Sequence, residues 1–87
     1  MMIDVRLYGS LRRFSENPAV TDESVAWAPA EPGDTVAMVL RRLGIDPEQE
    51  VGNIFVNGRY SFTARQIAVQ DGDRLGVFPR NMSLLYV

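Results

Sequence analysis

Apolar and polar positions alternate in the first stretch of the chain. Ile3, Val5 and Leu7 form one row, and Asp4, Arg6 and Tyr8 form the other. A period of two with a single apolar row predicts a half-buried strand. Gly9 and Ser10 break it, and the following "SLRRF" suits a short helical turn that buries Leu11 and Phe14. Residues 15–24, "SENPAVTDES", are polar with one proline and read as a loop. "SVAWAPA" is a second short strand with Val25 and Trp27 on one face, ended by Pro29 and Pro32.

The period then changes. Val36, Val39, Leu40 and Leu43 fall at i, i+3, i+4 and i+7, the apolar stripe of a helix over about 35–43. Asp34 or Thr35 supplies an N-cap oxygen for the free amides of the first turn. Arg41 and Arg42 occupy the last turn, where the helix dipole favours positive charge. Gly44 suits the left-handed position after the helix, Ile45 folds back onto it, and Pro47 prevents its resumption.

Beyond the helix, "NIFVNGRYSF" is a hairpin turning at Asn57-Gly58, with Ile54 and Val56 on one face and Phe55 on the other. A connection carrying Ile67 and Val69 leads to the turn Asp71-Gly72-Asp73. In the final strand Leu75 and Val77 point one way, Gly76 and Phe78 the other. One helix on one face of a mixed sheet is a two-layer α+β arrangement. At 87 residues the chain forms one domain, expected over 1–79, followed by an apolar tail, 80–87, "RNMSLLYV".

Composition narrows the chemistry. There is no Cys, no His and no Lys, so all nine positive charges are Arg. A thiolate nucleophile, an imidazole base, a Schiff-base amine and any thiolate or imidazole metal site are excluded, and Ser or Thr lacks a base. The chain is therefore expected not to be an enzyme, and to hold neither cofactor nor metal. Net charge is −2 and the pI near 4.9, which argues against a nucleic-acid partner. Arg12-Arg13 and Arg41-Arg42 are the local basic features and read as solvated faces. No apolar run approaches a bilayer span and the start lacks a leader pattern, so a cytoplasmic location without membrane attachment is expected.

Four stretches in register, "VRLYGSLRRF", "DTVAMVLRRLGI", "NIFVNGRY" and "DGDRLGVFP", resemble the ubiquitin-like sulfur carriers MoaD and ThiS over roughly residues 2–79. The resemblance implies a β-grasp fold with the first and last strands parallel at the sheet centre, Leu7 near Val77. It also implies a mechanism in which a C-terminal Gly-Gly enters an adenylating enzyme of MoeB/ThiF type and leaves as a thiocarboxylate. The sulfur then goes to molybdopterin or to the thiamine thiazole, in molybdenum or tungsten cofactor or thiamine synthesis. Glycine is needed there because bare backbone passes a narrow channel. No Gly-Gly occurs in this sequence, and Val87 is β-branched and stiff.

The resemblance further implies that the sheet face away from the helix meets a protein partner, either an adenylating enzyme or a cofactor-synthesis subunit. By alternation Phe55 and Phe78 lie on that face, with Tyr8 and Arg6 beside them. The plainer reading is that the 60–70 loop or the tail covers these rings. The tail reaches about 26 Å when extended, at ~3.3 Å per residue. It either folds over its own sheet, burying Leu84 and Tyr86, or leaves Arg80 to add a strand to a partner. In the second case Met82, Leu84 and Tyr86 face one side, Leu85 and Val87 the other. Homo-oligomerisation by tail exchange is a variant of this. Two functions follow as expectations: a non-catalytic interaction module, or a sulfur carrier with an atypical ending. A stand-alone copy of a ubiquitin-like domain that larger enzymes carry fused is a third.

Overall fold

The computed structural model describes residues 1–15 and 23–80. Along the chain come β1 (Met2–Tyr8), a 3₁₀ helix (Gly9–Phe14), β2 (Glu23–Pro29) and α1 (Val36–Arg42). After these come β3 (Val51–Val56), β4 (Arg59–Tyr60), a 3₁₀ turn (Ala64–Gln66) and β5 (Arg74–Pro79). The five strands form one mixed sheet in the order β2-β1-β5-β3-β4. β1 and β5 are parallel neighbours with Leu7 opposite Val77, and every other pairing is antiparallel. This is the ubiquitin-like β-grasp arrangement that the resemblance implied.

The core lies between the sheet and α1. Ile3, Val5 and Leu7 of β1, Leu75 and Val77 of β5, Ile54 of β3 and Val36, Val39 and Leu40 of α1 are all buried. Alternation therefore assigned the inner row of the two central strands as the structure has it. Two boundaries differ from the sequence expectation. β2 begins at Glu23, inside the stretch read as a loop, because residues 23–29 pair continuously with β1. The second arm of the hairpin, β4, has only two residues. Its turn carries positive φ at Asn57 and Gly58 (52° and 83°), as a two-residue hairpin turn requires.

Thr35, not Asp34, caps α1, its hydroxyl accepting from the Met38 amide at 3.3 Å. At the other end Gly44 takes φ +92°. Its amide donates to the Arg41 carbonyl at 3.0 Å, and the Ile45 amide donates to Leu40 at 3.0 Å. This pair of bonds closes the helix and brings Ile45 back onto Leu40, both buried. A Cβ at Gly44 would meet only the Phe14 ring, at 3.6 Å, so the obstacle to substitution is backbone strain. Gly44→Ala is expected to cost about 1–2 kcal/mol in urea denaturation, with the fold retained.

Asp34 has a different task. Only 5% exposed, its carboxylate pairs with Arg42 and accepts the Glu31 amide at 2.8 Å. Its backbone carbonyl accepts from Val69 at 2.8 Å. The residue thus ties the exit of β2, the last turn of α1 and the segment before β5 together. Arg41 and Arg13 pair with Glu48 and Glu50. These three arginines of the two basic pairs are thus ion-paired, while their side chains keep much of their surface open to solvent as a solvated face would.

The hydrogen bond from Arg42, reinforced by that from the Glu31 amide, holds the Asp34 carboxyl below its ordinary value of 3.8. A depressed carboxyl contributes stability at pH above its unfolded value, and the contribution is lost as pH falls through the lower folded value. Asp34→Asn is therefore expected to lower the melting temperature at pH 7. The gap from the unsubstituted protein should narrow below about pH 4. Thermal melts by circular dichroism across pH 2–7 check this, and a gap independent of pH would contradict it.

Candidate functional site

With α1 covering one side of the sheet, the outer row of each strand builds the other. On β1 that row is Asp4, Arg6 and Tyr8, and on β5 it is Arg74, Gly76 and Phe78. Register sets them side by side: Asp4 is opposite Arg74, Arg6 is opposite Gly76, and Gly76 is opposite Phe55 of β3. Phe55 in turn faces Tyr60 across the hairpin. Arg6, Tyr8, Phe55 and Phe78, the four residues placed on this face by alternation, are thereby brought together around one shallow depression of about 370 Å³. Gly58, Arg74 and Gly76 also line it.

Ring geometry is continuous across the face. Tyr8 and Phe78 stack with centroids 4.2 Å apart and planes 1° from parallel. Phe78 meets Phe55 edge-on at 5.7 Å, and Phe55 meets Tyr60 at 5.6 Å. Such contacts contribute about 0.5–1.5 kcal/mol each beyond area burial, so the cluster holds itself in place while staying open to water. Tyr8, Phe55 and Phe78 are half-buried, and Tyr60 is exposed. The rings therefore cover one another only in part, and from the 60–70 stretch Tyr60 packs against Phe55. Gly76 forms the floor: a side chain there would start 3.5 Å from Phe55 Cβ and 3.8 Å from Tyr8, in the space the depression occupies.

Charge on the face is uneven. Arg6 donates through Nε and an Nη to the two oxygens of Asp4, at 3.2 and 3.3 Å. That fork occupies the carboxylate nearest Arg74 in register. The Asp73 carboxylate accepts from Asn57 of the β3–β4 turn and from the Gln70 amide of the turn before β5. Among the described residues no carboxylate pairs with Arg74, which is exposed. The face thus combines an aromatic floor with an exposed guanidinium, that of Arg74, which has no carboxylate partner among the described residues. Aromatic rings and a guanidinium are groups that bind and orient a partner.

Tyr60 and Arg74 complete the site and were legible in principle. A two-residue turn at 57–58 forces 55 opposite 60, and Arg74 shares the parity of Gly76 and Phe78. Trp27 lies exposed on the same side of β2, with its neighbours Ala26 and Ala28 turned into the core. Val25 and Trp27 do share a face, which is this open one. At the exit of β5, the Arg80 amide donates to Glu50 at 3.1 Å and its guanidinium to the Glu48 carbonyl at 3.3 Å. Met82, Leu84, Leu85, Tyr86 and Val87 lie outside the described residues. Among the described residues no cluster of acidic side chains could hold a metal ion, and no helix is long and apolar enough to cross a membrane.

Comparisons with known proteins agree with this architecture. The solution structure of the Haloferax volcanii HVO 2177 protein superposes with a TM-score of 0.63 at 23% identity, covering 92% of this chain and 83% of that one. At that identity the likeness concerns the fold. No curated protein matches the sequence. The family model described as Mut7-C ubiquitin matches residues 1–84, nearly the whole sequence, and its ubiquitin-like character agrees with the strand order and single helix seen here. The chain belongs to the Mut7-C ubiquitin family.

Proposed function

We propose that this chain is a non-catalytic protein-interaction module of the cytoplasm, and that the open face of its sheet is the docking surface. The observation that carries the reading is the aromatic cluster. Tyr8, Phe55, Phe78 and Tyr60 pack on one another outside the core, around a depression with a bare glycine floor. Aromatic anchors grouped around a concavity and rimmed by arginine are the composition of an interface centre. A sulfur-carrier role has less support, because the 87 residues contain no Gly-Gly for an adenylating enzyme to activate.

Two measurements test the proposal. Incubation with ATP, a sulfur donor and an adenylating enzyme of MoeB/ThiF type is expected to leave the mass of the chain unchanged. A gain of about 16 Da, oxygen replaced by sulfur, would establish the carrier reading instead. A photocrosslinking residue at position 60 is expected to give a discrete adduct with a partner protein, weakened by Phe78→Ala. The same probe at position 48, away from the aromatic cluster, should give none. Equal labelling from both positions would sink the docking surface.

A further inference from the structure

Resting on that docking reading, we propose that the open face takes an acidic peptide segment of a partner protein. An apolar side chain of the segment lies on the Gly76 floor, and a carboxylate two or three residues away pairs with Arg74. The argument begins with a charge mismatch. Two arginines and one carboxylate meet on the outer rows of β1 and β5, and the Arg6 fork engages both oxygens of Asp4. Arg74 sits opposite Asp4 in register, yet has no carboxylate among the described residues. A guanidinium beside an apolar surface is suited to a carboxylate arriving with the partner, since its planar fork binds that group bidentately.

Spacing gives the segment its form. Arg74, Gly76 and Phe78 follow one another on a single face of β5, and each step of two residues spans about 6.8 Å. An extended peptide has the same repeat, so an apolar residue seated between Phe55 and Tyr8 puts a carboxylate two residues along over Arg74. The reach of the arginine side chain extends this to three. Residues 81–87 of the chain itself, "NMSLLYV", contain no Asp or Glu and are the poorer match.

The test is selection of a displayed library of random twelve-residue peptides on the full chain, and in parallel on Arg74→Glu and Phe78→Ala. Circular dichroism confirms that each variant folds. Peptides enriched on the unsubstituted chain are expected to carry Asp or Glu two or three residues from Leu, Ile, Phe, Tyr or Trp. Selection on Arg74→Glu should replace those acids with Arg or Lys. Synthetic versions should bind Arg74→Ala roughly three- to tenfold more weakly and should lose affinity between 50 and 300 mM salt. Peptides that need Phe78 but show no acidic preference overturn the proposal while leaving the docking face standing. Enrichment indifferent to Phe78→Ala, or none at all, overturns both. Displacement of a bound peptide by synthetic "RNMSLLYV", or a sedimentation mass showing self-association lost in Phe78→Ala, would make this chain its own occupant and equally overturn the proposal.

Discussion

Leu7→Ala is expected to destabilise the fold by about 3 kcal/mol, the range for buried leucine truncation being roughly 2–5. Leu7 is fully buried in a central strand, opposite Val77 of the parallel neighbour, so the cavity opens in the middle of the core, not at its margin. Its surroundings are strand residues held by pairing on both sides of β1, which limits how far they can collapse into the space. For a domain of this size such a loss lowers the melting temperature by more than about 10 °C. Urea denaturation of the purified variant checks it, with Leu7→Ile as a volume-conserving control expected to cost less than about 1.5 kcal/mol. A loss below 1 kcal/mol for the alanine variant would mean that the central pair of strands is not the packing centre.

Phe78→Ala should separate binding from folding. Phe78 touches both Tyr8 and Phe55, so it is the hinge of the aromatic cluster, yet it is only half-buried and faces away from the core. Its truncation is expected to lower stability by about 1 kcal/mol through the lost ring contacts. Binding to the crosslinked partner should fall further, by about 2 kcal/mol or more, roughly 30-fold in dissociation constant. Titration calorimetry beside urea denataturation of the same sample reads both quantities. Equal losses, or a loss of stability alone, would make the cluster an ordinary surface packing feature.

Legibility in the sequence follows how local each interaction is. The helix was readable to its ends because its apolar stripe, hydroxyl cap and glycine terminator all lie within eleven residues. The face of Phe55 and Phe78 was readable because strand alternation is a purely local geometry. β2 was harder. Its residues alternate alanine with a large aromatic, and size alone suggests that tryptophan belongs inside. The register with β1 decides otherwise, giving the narrow space beside the core to Ala26 and Ala28 and leaving Trp27 outside. The polar start of β2 looked like loop because pairing with a distant strand, which supplies its order, has no local signature. The Asp34–Arg42 pair was equally hidden: Asp34 precedes the cap, where helical geometry no longer dictates direction.

The sheet order carries a consequence for how the chain is made. β1 and β5, about seventy residues apart in sequence, are parallel neighbours, and among the described strands β5, at the centre of the sheet, joins the β1–β2 pair to the β3–β4 pair. During vectorial synthesis the two hairpin-like halves emerge early, each with one flank unsatisfied, and neither can close until the last strand leaves the ribosome. Such long-range parallel pairing is slow compared with local contacts. Release of the nascent chain past Pro79, more than any earlier event, is then the moment at which the domain becomes a single cooperative unit.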